Sequence, residues 1–315
     1  MDKVAVLIPC FNEEITIGKV VADAKKYLPG ATIYVYDNNS TDKTFETAKK
    51  AGAIVRKEPR QGKGNVVRTM FREVDADVYI MVDGDDTYGL ESAPEMVRRV
   101  KEGADMVIGD RLSGAYYEEN KRAFHSFGND LVRFQVNSLF HSHIKDIMTG
   151  YRAFSYRFVK TFPVRSKGFE IETEMTVHAA DKNMVLSTMK IDYRDRPKGS
   201  YSKLHTFRDG MKVLYTIGDL FRKYRPIAFY GILSLIFAGL GIGFFIPVFL
   251  DYLSTRAVER FPTLIVCCFS MLIAVLCLFS GFLFSTLRNQ EFVQFERALI
   301  AVDDAYKLKT KDYKN

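Results

Sequence analysis

Two aspartates flank a glycine at Asp83-Gly84-Asp85, directly after the apolar run Val78-Tyr79-Ile80-Met81-Val82. Such a run reads as a buried strand whose exposed end presents two carboxylates side by side. Carboxylates are hard oxygen ligands suited to Mg²⁺ or Mn²⁺. An ion held by only one or two of them keeps open positions, which substrate phosphates usually fill. The glycine leaves room for a ligand's oxygens close to the backbone. Read alone, the tripeptide is equally a strand-end turn whose acids face water.

Its neighbours tip that balance. Residues 4–8 form an apolar run ending in Pro9-Cys10-Phe11-Asn12-Glu13-Glu14. Residues 32–36 end in Asp37-Asn38-Asn39-Ser40-Thr41-Asp42, and 53–55 lead into Arg60-Gln61-Gly62-Lys63-Gly64-Asn65. Helical patterns over 16–27, 41–51 and 64–73 separate them. Strands alternating with helices predict an α/β domain with a mostly parallel sheet covered on both faces. Ligands of such sheets bind outside the carboxyl ends of the strands. The polar strand ends therefore converge on one crevice. A nucleotide-sugar fits it, with Asp37 for a base or ribose edge, Arg60 and Lys63 for phosphate charge, and the aspartates for a metal.

The ordered set Ile8-Pro9-Cys10-Phe11-Asn12-Glu13, Asp37-x-x-Ser40-x-Asp42, Arg60-x-Gly62-x-Gly64, Asp83-Gly84-Asp85 and Asp146-x-x-Thr149-Gly150-Tyr151-Arg152 resembles the family 2 glycosyltransferases. Within them it is most similar to the dolichyl-phosphate mannose synthases and the bacterial and archaeal polyprenyl-phosphate sugar transferases. The resemblance covers about two-thirds of the chain. It departs at Phe11, where the family often has Tyr, and at Thr87, where a carboxamide often stands near the metal. It implies a GT-A, Rossmann-like domain in which Pro9, Phe11, Glu13, Asp37, Arg60, Lys63, Asp83 and Gly84 bind the nucleotide-sugar. Asp83 and Asp85 would hold Mg²⁺ or Mn²⁺.

The acceptor half follows. Residues 104–109 read as a strand ending in Asp110-Arg111, and 122–140 as a helix. Arg122 and Ser126 stand four apart, hence on one helical face. In the resembling enzymes an Arg like Arg111 and an Arg/Ser pair like this one hold the acceptor lipid's phosphate. Arg suits that role because its fork matches phosphate oxygens. Ser202-Lys203 resembles the family's phosphate-binding loop end. Residues 146–154 read as a loop at the floor of the site. The bacterial relatives imply that Asp146 acts there, first in positioning and second as a proton acceptor. The alternative for Asp146 and Thr149 is helix capping. Glu170, Glu172 and Glu174 alternate, so they cannot all face one site from a helix; Glu174 best matches the family pattern. His141 and His143 lack partners at metal spacing and read as surface or local hydrogen-bonding residues. Met189, Ile191 and Tyr193 alternate with polar residues, as a half-buried strand does.

The remaining chain predicts a membrane anchor. Neither 227–250 nor 263–287 contains a charged residue. Each exceeds the roughly 20 residues that cross a bilayer core. Gly231, Gly239, Gly241 and Gly243 suit close helix packing. The short connection 251–262 makes the pair a hairpin. Arg222, Lys223, Arg225 and Arg288 flank the spans, while Arg256 and Arg260 in the connection are offset by Asp251 and Glu259. That asymmetry favours a cytoplasmic catalytic domain on the inner or plasma membrane. Residues 201–226 read as an interfacial amphipathic helix. The expected organisation is a transferase domain over 1–200, this helix, spans at 227–250 and 263–287, and a cytoplasmic tail over 288–315, with a frayed, Lys-rich end.

Composition agrees. The chain has 315 residues, 47% hydrophobic and 26% charged, enough for one α/β domain plus extra elements. Its formal charge of +7 is gathered largely near the spans, where anionic lipid is a simpler partner than nucleic acid. The 4 cysteines form no C-x-x-C pair, so neither zinc nor a redox motif is indicated. The expected activity is inverting transfer of a hexose, GlcNAc or glucose, from a UDP-sugar to polyprenyl phosphate. Self-association into a homo-oligomer is left open. The rivals are a membrane polysaccharide synthase and a non-catalytic scaffold with a degenerate transferase domain. Synthases carry a Gln-x-x-Arg-Trp motif, and this chain has no Trp.

Overall fold

The computed structural model describes residues 3–113, 133–140, 144–168, 170–194 and 218–312. It divides into two compact units, Met1–Asp209 with Arg297–Asn315, and Gly210–Glu296.

The first unit is a seven-stranded sheet with helices. Apolar runs and amphipathic helices alternate as the sequence predicts: β1 (Val4–Cys10), α1 (Ile17–Tyr27), β2 (Thr32–Asp37), α2 (Thr44–Lys50), β3 (Ile54–Lys57), α3 (Lys63–Glu73) and β4 (Val78–Met81). Then come α4 (Ala93–Lys101), β5 (Met106–Asp110), a helix α5 over 133–140, β6 (Arg152–Ser155), α6 (Tyr156–Thr161), α7 (Ile171–Asp181) and β7 (Leu186–Lys190). The strand order is β3-β2-β1-β4-β6-β5-β7. β1 lies between β2 and β4, with Ile8 opposite Val35 and Leu7 opposite Met81. Leu7 and Ile8 are fully buried. Each such side chain stabilises the fold by about 1.5–3 kcal/mol relative to exposure. Ile17, Val20, Val21 and Ala24 give α1 its buried stripe, and Val66, Val67, Met70 and Phe71 give α3 its own.

Every pairing is parallel except those of β6, which runs antiparallel between β4 and β5. The sequence predicted a loop over 146–154; residues 152–155 are instead a central strand. Its reversed direction has one consequence for function. The chain just before β6 arrives at the edge where β4 and β5 end. The strand expected around 189–193 lies at Leu186–Lys190, and Tyr193 makes only an isolated bridge to Tyr88.

The second unit holds a helix over 218–224 (α8), then α9 (Pro226–Thr255) and most of α10 (Phe261–Asp312). Both α9 and α10 are long and apolar enough to cross a membrane, with mean hydropathies of 2.4 and 2.6 in their most apolar windows. Their apolar side chains face outward: Leu235 is 74% and Phe279 65% exposed. The helices touch through Ser234 Oγ donating to Ala274 O at 2.8 Å and through stacked Tyr230 and Phe284 rings. Of the glycines read as packing sites, only Gly241 meets the partner helix, at Met271; nothing lies near Gly231, Gly239 or Gly243. α10 also runs on far beyond residue 287. The expected frayed tail is helical to Asp312, and its end packs within the first unit. There Asp303 pairs with Arg157 at 3.1 Å, Lys309 with Asp75 at 2.6 Å, and Tyr306 stacks against Tyr156.

Candidate functional site

The loops after β1 and β2 lock into each other. Asn12 N–H donates to Ser40 Oγ, and Thr41 N–H to Asn12 Oδ1. Glu13 N–H donates to Thr44 Oγ1, and Lys43 N–H to Glu14 Oε2. Asn12 and Asn39 adopt φ of 55° and 63°, a left-handed conformation Asn tolerates. Ser40 and Asp42, which look chemical in the sequence, therefore serve loop geometry. The interlock leaves Glu13 and Asp37 buried at the ends of adjacent strands, beside Pro9 on β1 and the partly exposed Phe11.

The turn after β4 is fastened from two sides. Thr16 Oγ1 donates to Gly84 O at 2.6 Å, and Thr87 donates to Asp85 Oδ1 from both N–H and hydroxyl. Asp86 has φ of 58° and pairs with Lys19 at 2.6 Å. Gly84 is small for a reason other than ligand approach. A Cβ there would stand 2.6 Å from Cys10 Sγ beneath it. Burial, then Glu13, Asp37, Asp83 and Asp85, push the Cys10 thiol well above its ordinary pKa. Cys10 is thus an inert apolar filler, and its surroundings report how closely those acids converge.

Asp83 faces Lys63, the first residue of α3, which sits between Asp83 and Glu172 of α7. Burial pulls the Lys63 pKa down, but the two carboxylates outweigh it and hold the ammonium charged. Behind Asp83, a Cβ on Gly150 would lie 2.3 Å from Oδ2, so a side chain there would displace the Asp83 carboxylate. Gly150 N–H donates to Tyr88 Oη at 3.1 Å.

The residues expected to meet an acceptor begin on the far side of β6 from β4. Arg111, just past β5, donates from Nε to Asp146 Oδ2 at 2.8 Å. Asp146 is fully buried, Arg111 lies near Tyr88, and its guanidinium covers the Tyr193 ring at 5.6 Å. Tyr88 lies between the halves. Burial raises its pKa, Arg111 lowers it, and Asp83 and Asp146 raise it again. Arg152, completely buried, is bound by the carbonyls of Thr149 and Ile147 and by Thr176 Oγ1. Burial lowers its pKa to about 10, and its bonds pin the 146–150 segment.

The structure therefore brings Pro9, Phe11, Glu13, Asp37, Lys63, Asp83, Gly84, Asp85, Arg111 and Asp146 to one edge of the sheet. Arg60 is different. Its fork is committed to Glu58 Oε1 and Oε2, and that pairing holds the Glu58 carboxyl down to about 2. Arg122, Ser126 and Lys203 lie outside the described residues, as do His141 and His143. Glu174 caps the N–H groups of Arg165 and Ser166, whereas Glu172 faces the site. Tyr88 and Glu172 escape a motif search because each reads as core or surface until the topology is known, and Arg152, although it ends a motif, gave no sign of its pinning role.

Among the described residues, no three His, Cys, Asp or Glu side chains are grouped to hold a metal ion. Two carboxylates on one turn suit an ion that completes its shell with water and substrate phosphate, as Mg²⁺ commonly does, rather than a protein cage. The residues present fit that group.

The profile of Glycosyl transferase family 2 matches residues 5–162. Glycosyltransferase AglJ of Haloferax volcanii is 32% identical over 247 residues, covering 77% of this chain and 80% of that protein. A dolichyl-phosphate hexose transferase of the same organism is 29% identical over 213 residues, covering 67% and 91%. Among solved structures, glucosyl-3-phosphoglycerate synthase from Mycobacterium tuberculosis, in complex with Mn²⁺, UDP and phosphoglyceric acid, superposes with a TM-score of 0.54. At 20% identity over 70% of this chain and 78% of that one, this shows a shared fold.

Proposed function

The chain belongs to glycosyl transferase family 2, and from that premise we propose that it moves a hexose from a UDP-sugar to the phosphate of a polyprenol. One observation carries this reading. Asp83 and Asp85 stand at the end of β4, the Arg111–Asp146 pair at the end of β5, and Tyr88 lies between them. That arrangement, with carboxylates at one strand end and a guanidinium at another, supports a reading in which a diphosphate and an acceptor phosphate meet at one edge of the sheet. A relative named as a dolichyl-phosphate hexose transferase, matched over most of its length, supports the lipid acceptor.

Asp83 and Asp85 would hold Mg²⁺ or Mn²⁺, which as a Lewis acid would stabilise the departing diphosphate. Asp37, with Pro9, Phe11 and Glu13, would receive the nucleoside, and Lys63 the diphosphate charge. Arg60 would contribute only by exchanging Glu58 for phosphate. Arg111 would bind the acceptor phosphate while Asp146 fixes its orientation. Arg122, Ser126 and Lys203 complete the acceptor set that the family resemblance implies. The acceptor oxygen attacks the anomeric carbon in line and inverts it. That oxygen is already ionised at neutral pH, so Asp146 acts first in orientation. Holding two anions in attack geometry supplies much of the rate.

α9 and α10 would cross the membrane as a hairpin with the transferase domain, residues 1–200, on the cytoplasmic side. The test is purified full-length enzyme in detergent with undecaprenyl phosphate and a panel of nucleotide-sugars. Mass spectrometry should find a hexosyl-phosphate lipid with a UDP-sugar. Transfer to a soluble acceptor alone would overturn the lipid assignment.

A further inference from the structure

Glu172 lies outside every motif that marks the site, yet it is 4% exposed and its Oε1 stands 2.5 Å from Lys63 Nζ. The Lys63 side chain is only 9% exposed and touches Asp83 on its other side. The three side chains form a row of carboxylate, ammonium and carboxylate. Their placement is built rather than incidental. Gly64 N–H donates to Lys167 O at 3.0 Å and joins the start of α3 to the segment leading into α7. One turn after Glu172, Thr176 Oγ1 accepts from Arg152, which pins the segment behind Asp83. α7 thus aims two consecutive turns at the underside of the site.

A lysine paired with Asp83 alone would oppose metal binding. A cation that took Asp83 would leave a buried ammonium without a partner, which is strongly unfavourable. With Glu172 present, Lys63 keeps one carboxylate whatever Asp83 does. We infer that Glu172 is a positioning residue: it retains Lys63 so that Asp83 can exchange the ammonium for a divalent cation, leaving Lys63 in place to meet the incoming nucleoside diphosphate. This rests on the donor reading above and assigns that site a further member.

The test is titration of UDP into full-length protein in detergent micelles with Mn²⁺ present, followed by calorimetry and by the Mn²⁺ electron paramagnetic resonance signal. Glu172→Gln should weaken Mn²⁺-dependent UDP binding by roughly ten- to a hundredfold. Glu172→Asp should recover part of the loss. Lys63→Met with Glu172→Gln should lose no more than Lys63→Met alone, since residues acting through one another are not additive. That double variant removes both buried charges, so it keeps the comparison open if Glu172→Gln alone folds poorly. Wild-type affinity in folded Glu172→Gln, or losses that add in the double variant, would overturn the inference. If the wild-type protein itself binds no UDP with Mn²⁺, the donor reading falls and this one with it.

Discussion

At the scale of single residues, the site separates atoms that do chemistry from atoms that hold them. Asp85 accepts from Thr87 through Oδ1, and an amide in its place keeps that acceptor. Asp85→Asn should therefore fold like the wild type, lose transfer, and lose the divalent dependence of UDP binding. Undiminished activity of the variant, or of the wild type in excess chelator, would remove the metal from the mechanism. The Arg111–Asp146 pair behaves differently, because Asp146 is fully buried. Arg111→Ala leaves that carboxylate unpaired, at a cost of about 3–5 kcal/mol. Adding Asp146→Asn should restore much of the melting temperature without restoring transfer. If transfer returns as well, Arg111 serves only the fold. His178, packed edge-on against Phe158 and Phe162, gives a pH signature. Burial, reinforced by Lys182, lowers its pKa to about 4. The unfolded chain takes up that proton near pH 6.5, so stability is full above about 6.5 and declines as pH falls towards 4. The loss is on the order of 3 kcal/mol over the window. Denaturant unfolding of wild type and His178→Gln at several pH values should show a steeper decline in the wild type.

At the scale of elements, the site depends on backbone contacts as much as on side chains. A Cβ on Gly64 would stand 2.2 Å from the Ser166 carbonyl, which belongs to the backbone and cannot swing away. Gly64→Ala should destabilise the protein by about 1–3 kcal/mol and weaken UDP binding, read by thermal unfolding and calorimetry. Normal stability would mean the two segments part easily. The first half of the sheet was legible in the sequence because β1, β2 and β4 are apolar runs divided by amphipathic helices. β6 was not legible. Its four residues, Arg152-Ala153-Phe154-Ser155, include a buried arginine, and the preceding Thr-Gly-Tyr has the composition of a loop. β7 was misplaced because Leu186–Lys190 is only partly buried and lacks clean alternation, whereas 189–193 shows it. The position of Lys63, Asp83 and Asp85 beside strand ends was legible because they sit on motif loops. Glu172 was not, because nothing in a local pattern tells which of three alternating glutamates faces inward.

At the scale of the whole molecule, two long apolar helices follow the transferase fold, with basic residues before α9 and after the apolar part of α10. In the connection, Arg260 is paired with Asp251 at 2.7 Å, which reduces its weight in any charge asymmetry. Reporters at the N- and C-termini should both be cytoplasmic, and a tag beside Thr255 external. Termini on opposite sides would rule out the hairpin. The antiparallel insertion of β6 also bears on how the chain is made. Synthesis delivers β1 to β4 early, yet β4 waits for Arg152–Ser155 to cover its second edge, with Val78 partnered by Ser155 far along the chain. All four β4 residues are buried in the finished sheet. The nascent first half of the sheet therefore emerges from the ribosome with an apolar strand open to any other strand, the state in which chains pair with their neighbours and aggregate. The strand that closes this hazard is also the one that follows the Asp146–Gly150 segment, so during biosynthesis the edge of the sheet that carries Asp83 and the segment that carries Asp146 mature together.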